Sequence, residues 1–108
     1  MKYKIPQDRL DKIIFKYLDL NLKGLEKKKN YRGFGGIVFA YPNEDYAKLG
    51  FERGILYVNH EIIDEITDNF GLKDDDSREL IGRWASNRFQ IEVKSISKLY
   101  GVLYFELP

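Results

Sequence analysis

From Asn59 to Ile96 nearly every boundary carries a chemical marker, and this stretch limits the fold more than any other. Asn59 suits a helix N-cap, where its side chain accepts from an orphan backbone N–H. Ile62, Ile63, Ile66 and Phe70 then fall on one helical face. Gly71, followed by apolar Leu72, predicts a left-handed helix end. Asp76, with Glu79 three residues on, predicts a second N-cap of capping-box type. Leu80, Ile81, Trp84, Ala85 and Phe89 continue an apolar stripe, and Trp84 on it is expected in the core. Gly82 inside that helix costs about 1 kcal/mol relative to Ala, so it is expected where another element packs closely. From Phe89 to Lys94 apolar and polar residues alternate, which predicts a half-buried strand. A chain with this centre must place two short helices side by side and return to a sheet.

The rest of the 108 residues supplies the other elements. Over residues 7–20, Leu10, Ile13, Ile14, Tyr17 and Leu18 repeat at helical spacing. Pro6 fits the first turn, with Asp8 and Asp11 near the positive end of the dipole. Residues 23–33, KGLEKKKNYRG, predict an exposed connection, because clustered lysines are costly to bury. Phe34–Tyr41 predicts a strand that is apolar on both faces. Residues 42–50 predict a loop with room for one helical turn, and Phe51–Val58 a second strand, antiparallel to the first. Gly101–Leu107 predicts a last strand, with SKLYG turning the chain into a C-terminal hairpin. The expected fold is a single α+β domain over residues 1–108. It has a mostly antiparallel sheet, an N-terminal helix and a central αα-hairpin, in the order helix-strand-strand-helix-helix-strand-strand.

Seven Phe and eight Tyr give such a chain a core and argue against disorder. There is no cysteine, which fits a reducing, cytoplasmic setting and removes thiolate chemistry. No apolar run reaches the ~20 residues that cross a bilayer, and the start MKYKIPQDR lacks a signal-peptide core. A soluble protein with no membrane partner is expected.

Catalytic and metal-binding patterns are not found in the sequence. One histidine, His60, and no cysteine exclude a structural zinc site within one chain. His60 stands at a helix start among acids, where a surface position is expected. The spacing of Asp68 and Glu79 matches the ends of an EF-hand loop, but Phe70 and Leu72 occupy ligand positions and Lys73 the obligatory glycine. GFGG lacks the Gly-Lys-Ser/Thr of a phosphate loop. No serine sits in a nucleophile motif. A non-enzyme without cofactor is expected, and nothing indicates a small-molecule ligand.

Charge is segregated behind a net value of +1. Residues 23–33 carry Lys23, Lys27, Lys28, Lys29 and Arg32 against Glu26. Residues 61–79 carry eight acids against Lys73 and Arg78. Such polarity bears on partners.

Two short resemblances follow from these segments. The run of strand, two helices and two strands resembles a winged helix, which implies a DNA-recognising second helix. Asp74, Asp75, Asp76 and Glu79 at its start would repel phosphates, so an αα-hairpin serving the core is expected. Arg32-Gly33-Phe34-Gly35-Gly36-Ile37-Val38-Phe39 resembles the aromatic strand motif of RNA-recognition-motif domains. Gly36 replaces a stacking aromatic, and KGLEKKKN stands where a strand should precede it. What remains is a basic loop beside aromatics. Lys27, Lys28, Lys29, Tyr31, Arg32 and Phe34 are the candidate binding residues. A protein partner or self-association is expected first, with nucleic acid as the alternative; Tyr31 and Tyr46 are the expected interface tyrosines.

Overall fold

A computed structural model describes residues 7–29 and 36–104. It is an α+β arrangement of three helices and a mostly antiparallel five-stranded sheet. Helix α1 (Gln7–Asn21) leads into β1 (Glu26–Lys29). Then come β2 (Ile37–Ala40), β3 (Tyr46–Ala47), β4 (Leu49–Glu52) and β5 (Ile55–Asn59). Helices α2 (His60–Phe70) and α3 (Asp74–Phe89) follow, then β6 (Ser95–Leu99) and β7 (Leu103–Tyr104). The main sheet has the order β1-β2-β4-β5-β6, and β3 pairs with β7 in a separate ribbon.

The one parallel pair governs the topology. β5 and β6 run side by side from Ile55↔Ser95 to Asn59↔Leu99. Parallel neighbours need a long crossover, and α2 with α3 supplies it. Its start is fixed by Asn59, which is 4% exposed. The Asn59 Oδ1 accepts from the Glu61 N–H at 2.9 Å, and its Nδ2 donates to the Gly101 carbonyl at 2.5 Å. One side chain thus caps α2 and ties the chain beyond β6 to the same corner. At the other end of α2, Gly71 is left-handed (φ 62°), and the Leu72 N–H donates to the Thr67 carbonyl.

The α-helices cover one face of the sheet. Phe39, Leu49, Leu56 and Val58 point into the core from that face, and meet Ile14 and Leu18 of α1, Ile63 and Ile66 of α2, and the stripe of α3. Trp84 is 3% exposed and donates its Nε1–H to Asp19 at 2.8 Å. Phe39 stacks on Phe89 with centroids 4.2 Å apart. Ser77 is fully buried, yet satisfied by Thr67 Oγ1 at 2.8 Å. Val38, Ala40 and Ala47 form a smaller cluster with Leu103 on the opposite face, where β3 and β7 lie. At Gly82 an added Cβ would stand 3.0 Å from Ile96 Cδ1, so the glycine does admit the closely packed β6.

Several local expectations are corrected. The lysine-rich stretch is not wholly a loop: Glu26–Lys29 pairs antiparallel with Ile37–Ala40 as an edge strand. An edge position pairs the backbone on one side, and lysines are favoured there because they guard the open side against further pairing. Residues 42–50 hold β3 and the start of β4 in place of a helical turn. The segment 51–58 is not one strand. Arg53 (φ 51°) and Gly54 (φ 81°) make the two-residue turn of a β4–β5 hairpin, with the positive φ values of a type I′ turn. Asp76 is not an N-cap. Helix α3 starts at Asp74 behind Lys73, which makes no side-chain capping bond, and all three aspartates lie in the first turn, where the helix dipole favours them. Ile13 is 41% exposed, off the buried stripe. Residues 91–94 form no strand; Ile91 and Val93 still pack on the core, the Lys94 N–H donates to the Gly54 carbonyl at 2.8 Å, and the strand begins at Ser95. Among the described residues no C-terminal hairpin forms: β6 pairs with β5 and β7 with β3. The winged-helix arrangement is therefore not realised.

Replacing Asn59 by Ala should cost about 2 kcal/mol in urea unfolding, ~1 from the cap and ~1 from the bond to Gly101. Asn59→Asp keeps the cap acceptor and loses the donor, so it should fall between. Gly71→Ala meets no neighbour within 4 Å. It should nevertheless cost about 1 kcal/mol, because the left-handed conformation disfavours a Cβ.

Candidate binding cleft

The sheet, α1 and α2 do not close completely. Where the C-terminal end of α1 passes over β2 and β4, a cleft of about 210 Å³ opens into the core. Its floor is apolar, formed by Leu18, Phe39, Leu49 and Ile66, with Leu22, Leu25 and Ile62 on its flanks. Its polar groups stand at the mouth: Tyr17, Asn21, Tyr41, Glu44, Lys48 and Glu65, with Tyr46 beside them at 36% exposure. An apolar floor with few convergent polar groups is the usual form of a binding site.

Helical spacing puts this mouth together. Tyr17, Leu18, Asn21 and Leu22 share a face of α1 and the turn after it, while Ile62, Glu65 and Ile66 share a face of α2. Tyr17 bridges the two helices. Its hydroxyl donates to Glu65 Oε1 in a short hydrogen bond and accepts from Asn69 Nδ2 at 3.2 Å. Its ring meets Phe70 edge-on with centroids 5.6 Å apart. The carboxylate of Glu65 beside the phenol holds its pKa above the ordinary tyrosine value, first through the hydrogen bond and then through partial burial and charge. Tyr41 closes the other side by donating its hydroxyl to the Asn21 carbonyl at 3.3 Å. Asn21 Nδ2 in turn donates to the Tyr17 carbonyl at 2.8 Å.

Of the candidate residues read from sequence, the described ones, Lys27, Lys28 and Lys29, are not among those that line this cleft. Lys27 and Lys29 lie in β1 opposite Phe39 and Ile37, and Lys27 is exposed. Lys28 points the other way and donates its Nζ to the carbonyls of Tyr41 (3.1 Å) and Pro42 (3.2 Å). Its ammonium thus stabilises the chain leaving β2. Tyr31, Arg32 and Phe34 lie outside the described residues. Tyr46 stands exposed at the rim.

A second polar cluster joins the crossover to β6. Lys98 Nζ lies 3.1 Å from Asp64 and 3.3 Å from Asp74, bridging both helices. His60 stands 3.4 Å from Asp64 and stacks on Tyr100, while Arg78 Nε approaches Asp74 at 2.5 Å. The hydrogen bond from Lys98 is the main cause of a lowered Asp64 pKa, and the same contact raises that of Lys98. These groups join β6 to both helices, so they act as a clip. A broader trough lies between α1, α3 and residues 93–96 that follow α3, but Asp75 and Glu79 line it side by side with Arg78, Arg83 and Lys94. It offers neither a single charge nor an enclosed floor. Among the described residues no group of three His, Cys, Asp or Glu is placed to hold a metal, and no helix is long and apolar enough to cross a membrane.

Compared with known proteins, the chain matches no family model, no curated protein and no solved structure.

The clip has a definite pH dependence. Asp64 is lowered, so its contribution is complete above the ordinary aspartate range and disappears as pH falls through the lowered value. Lys98 is raised, so its contribution is complete below the ordinary lysine value and disappears only in strong alkali. The melting temperature of Lys98→Met should therefore fall below that of the unaltered protein by a constant amount across neutral pH. The difference should shrink in acid as Asp64 is protonated. A difference unchanged down to acid pH would show that the ion pairs contribute nothing.

Proposed function

We propose that this protein is a non-catalytic binding module that associates with another protein by accepting one large side chain of that partner in the cleft between α1, α2 and the sheet. The observation that carries this reading is the cleft itself: half-buried Leu22, Leu25 and Ile62 on its flanks face an opening ringed by polar groups, above a fully buried apolar floor. Protein interfaces concentrate their affinity in a few anchors that fill such desolvated pockets. The size supports an anchor. A cavity of ~150 Å³ lined by aliphatic side chains accepts one benzene ring, so about 210 Å³ suits one ring and its linker. The exposed Tyr46 and the edge strand β1 adjoin the mouth and extend the contact surface.

The alternative reading, nucleic acid on the basic stretch, has less support from the described residues. Lys28 is engaged by two carbonyls and faces away from Lys27. A lysine pair split between two faces of a strand does not make one track for phosphates.

A photo-reactive phenylalanine analogue at Lys48, introduced in the cells that make the protein, should give a discrete covalent adduct with a second chain. Leu22→Trp, which fills the cleft from its flank, should remove the adduct while the melting temperature stays within a few degrees. An adduct of twice the chain mass would identify a second copy as the partner. An adduct of equal yield in Leu22→Trp, or none at all, contradicts the reading.

A further inference from the structure

The chemistry of the anchor follows from the hydrogen-bond inventory at the mouth. A tyrosine hydroxyl has one proton to donate. That of Tyr17 goes to Glu65, and that of Tyr41 goes to the Asn21 carbonyl. Both phenols are therefore left with acceptor capacity only. Glu65 uses Oε1 for Tyr17, and the Glu44 side chain makes no hydrogen bond or ion pair among the described residues. Ionised carboxylates only accept. The mouth is thus rich in acceptors above an apolar floor.

Charge decides between the donors that would suit it. An ammonium or guanidinium needs a surplus of negative charge. Here Glu44 and Glu65 are offset by Lys48 at the mouth, and by Lys27 and Lys28 on the adjoining strand. With the surplus cancelled, a neutral donor on an apolar body fits better than a cation. Tyrosine and tryptophan have that form, with a ring to bury and one O–H or N–H at its edge.

We infer that the cleft recognises an aromatic side chain bearing a single neutral donor, the phenol of a tyrosine or the indole of a tryptophan, presented by a partner protein. The ring lies against Leu22, Leu25 and Ile62, and its O–H or N–H reaches Glu44 or Glu65 at the mouth. This inference rests on the anchor reading above and adds the identity of the anchor.

The test uses the whole protein and four capped amino acids: the N-acetyl amides of tyrosine, phenylalanine, tryptophan and 1-methyltryptophan. Binding is followed by amide chemical shifts of Leu22, Leu25 and Ile62. Each pair differs by one donor and little else. One net hydrogen bond is worth about 1 kcal/mol, so tyrosine should bind roughly fivefold more tightly than phenylalanine, and tryptophan than its methylated form. The ratio should fall toward one in at least one of Glu44→Ala and Glu65→Ala. Equal binding of tyrosine and phenylalanine overturns the donor inference but keeps the apolar anchor. Tighter binding of N-acetyl-lysine amide overturns it in favour of a cation. Absence of cleft shifts with every compound overturns the inference and the anchor reading together.

Discussion

Parallel pairing of β5 with β6 is the constraint on which the rest of the structure depends. Two parallel neighbours cannot be joined by a turn, so about 35 residues must leave the sheet and return in register. The αα-hairpin performs this return, and its apolar stripes become the cover of the sheet. Asn59 holds the arrangement at its origin. It is the last residue of β5, the N-cap of α2, and the donor to the Gly101 carbonyl just past β6. The start of the crossover and the chain leaving its end are thus fixed by one buried amide. The Lys98 clip adds a second bond between the same parts, from β6 to both helices. Its value depends on Asp64 being ionised, whereas the Asn59 contacts do not depend on pH.

The acids of the crossover belong to this frame. Asp74, Asp75 and Asp76 occupy the first turn of α3, where backbone N–H groups lack partners and the dipole favours negative charge. Asp74 is also bound by Lys98 and Arg78. A stretch that looks from the outside like an acidic patch is in good part a helix start and an ion-pair junction. The remaining exposed acids, such as Asp68 and Glu79, keep that surface solvated and give it a sign opposite to that of β1, at the far edge of the sheet.

Most parts of the fold governed by local chemistry were legible in the sequence, the start of α3 excepted, where three successive aspartates left the cap position ambiguous. The cap at Asn59, the left-handed Gly71, the stripe from Leu80 to Phe89 and the glycine at 82 all appear as their residue types require. The parts governed by pairing were not. Arg53-Gly54 turns as tightly as Asn-Gly does, but arginine rarely adopts positive φ, so two strands read as one. Phe89–Lys94 alternates because its side chains pack against the core, yet it has no strand beside it, and the paired segment Ser95–Leu99 alternates less clearly. The lysines of Glu26–Lys29 read as loop because solubility and edge-strand protection call for the same residues. Choice of partner strand is a long-range property, which is why the β3–β7 ribbon left no local signal.

The cleft was not legible for the same reason, and its origin explains its form. Tyr17, Tyr41 and Glu65 come from three elements separated by more than twenty residues each, and no spacing rule joins them. Two of them are nevertheless recognisable afterwards as amphipathic positions at the border of a stripe, where a tyrosine buries its ring and keeps its hydroxyl wet. Such border residues cannot finish the core, because their polar ends must stay at water. Where three of them surround one spot, packing stops short and a cleft is left with an apolar floor and a polar mouth. The hydroxyls then tie the mouth to itself, Tyr17 to Glu65 and Tyr41 to the end of α1. Those bonds set the shape of the opening; on the proposed binding reading, less order would have to be imposed when an anchor enters. They also use the hydroxyl protons of Tyr17 and Tyr41, which leaves both phenols as acceptors.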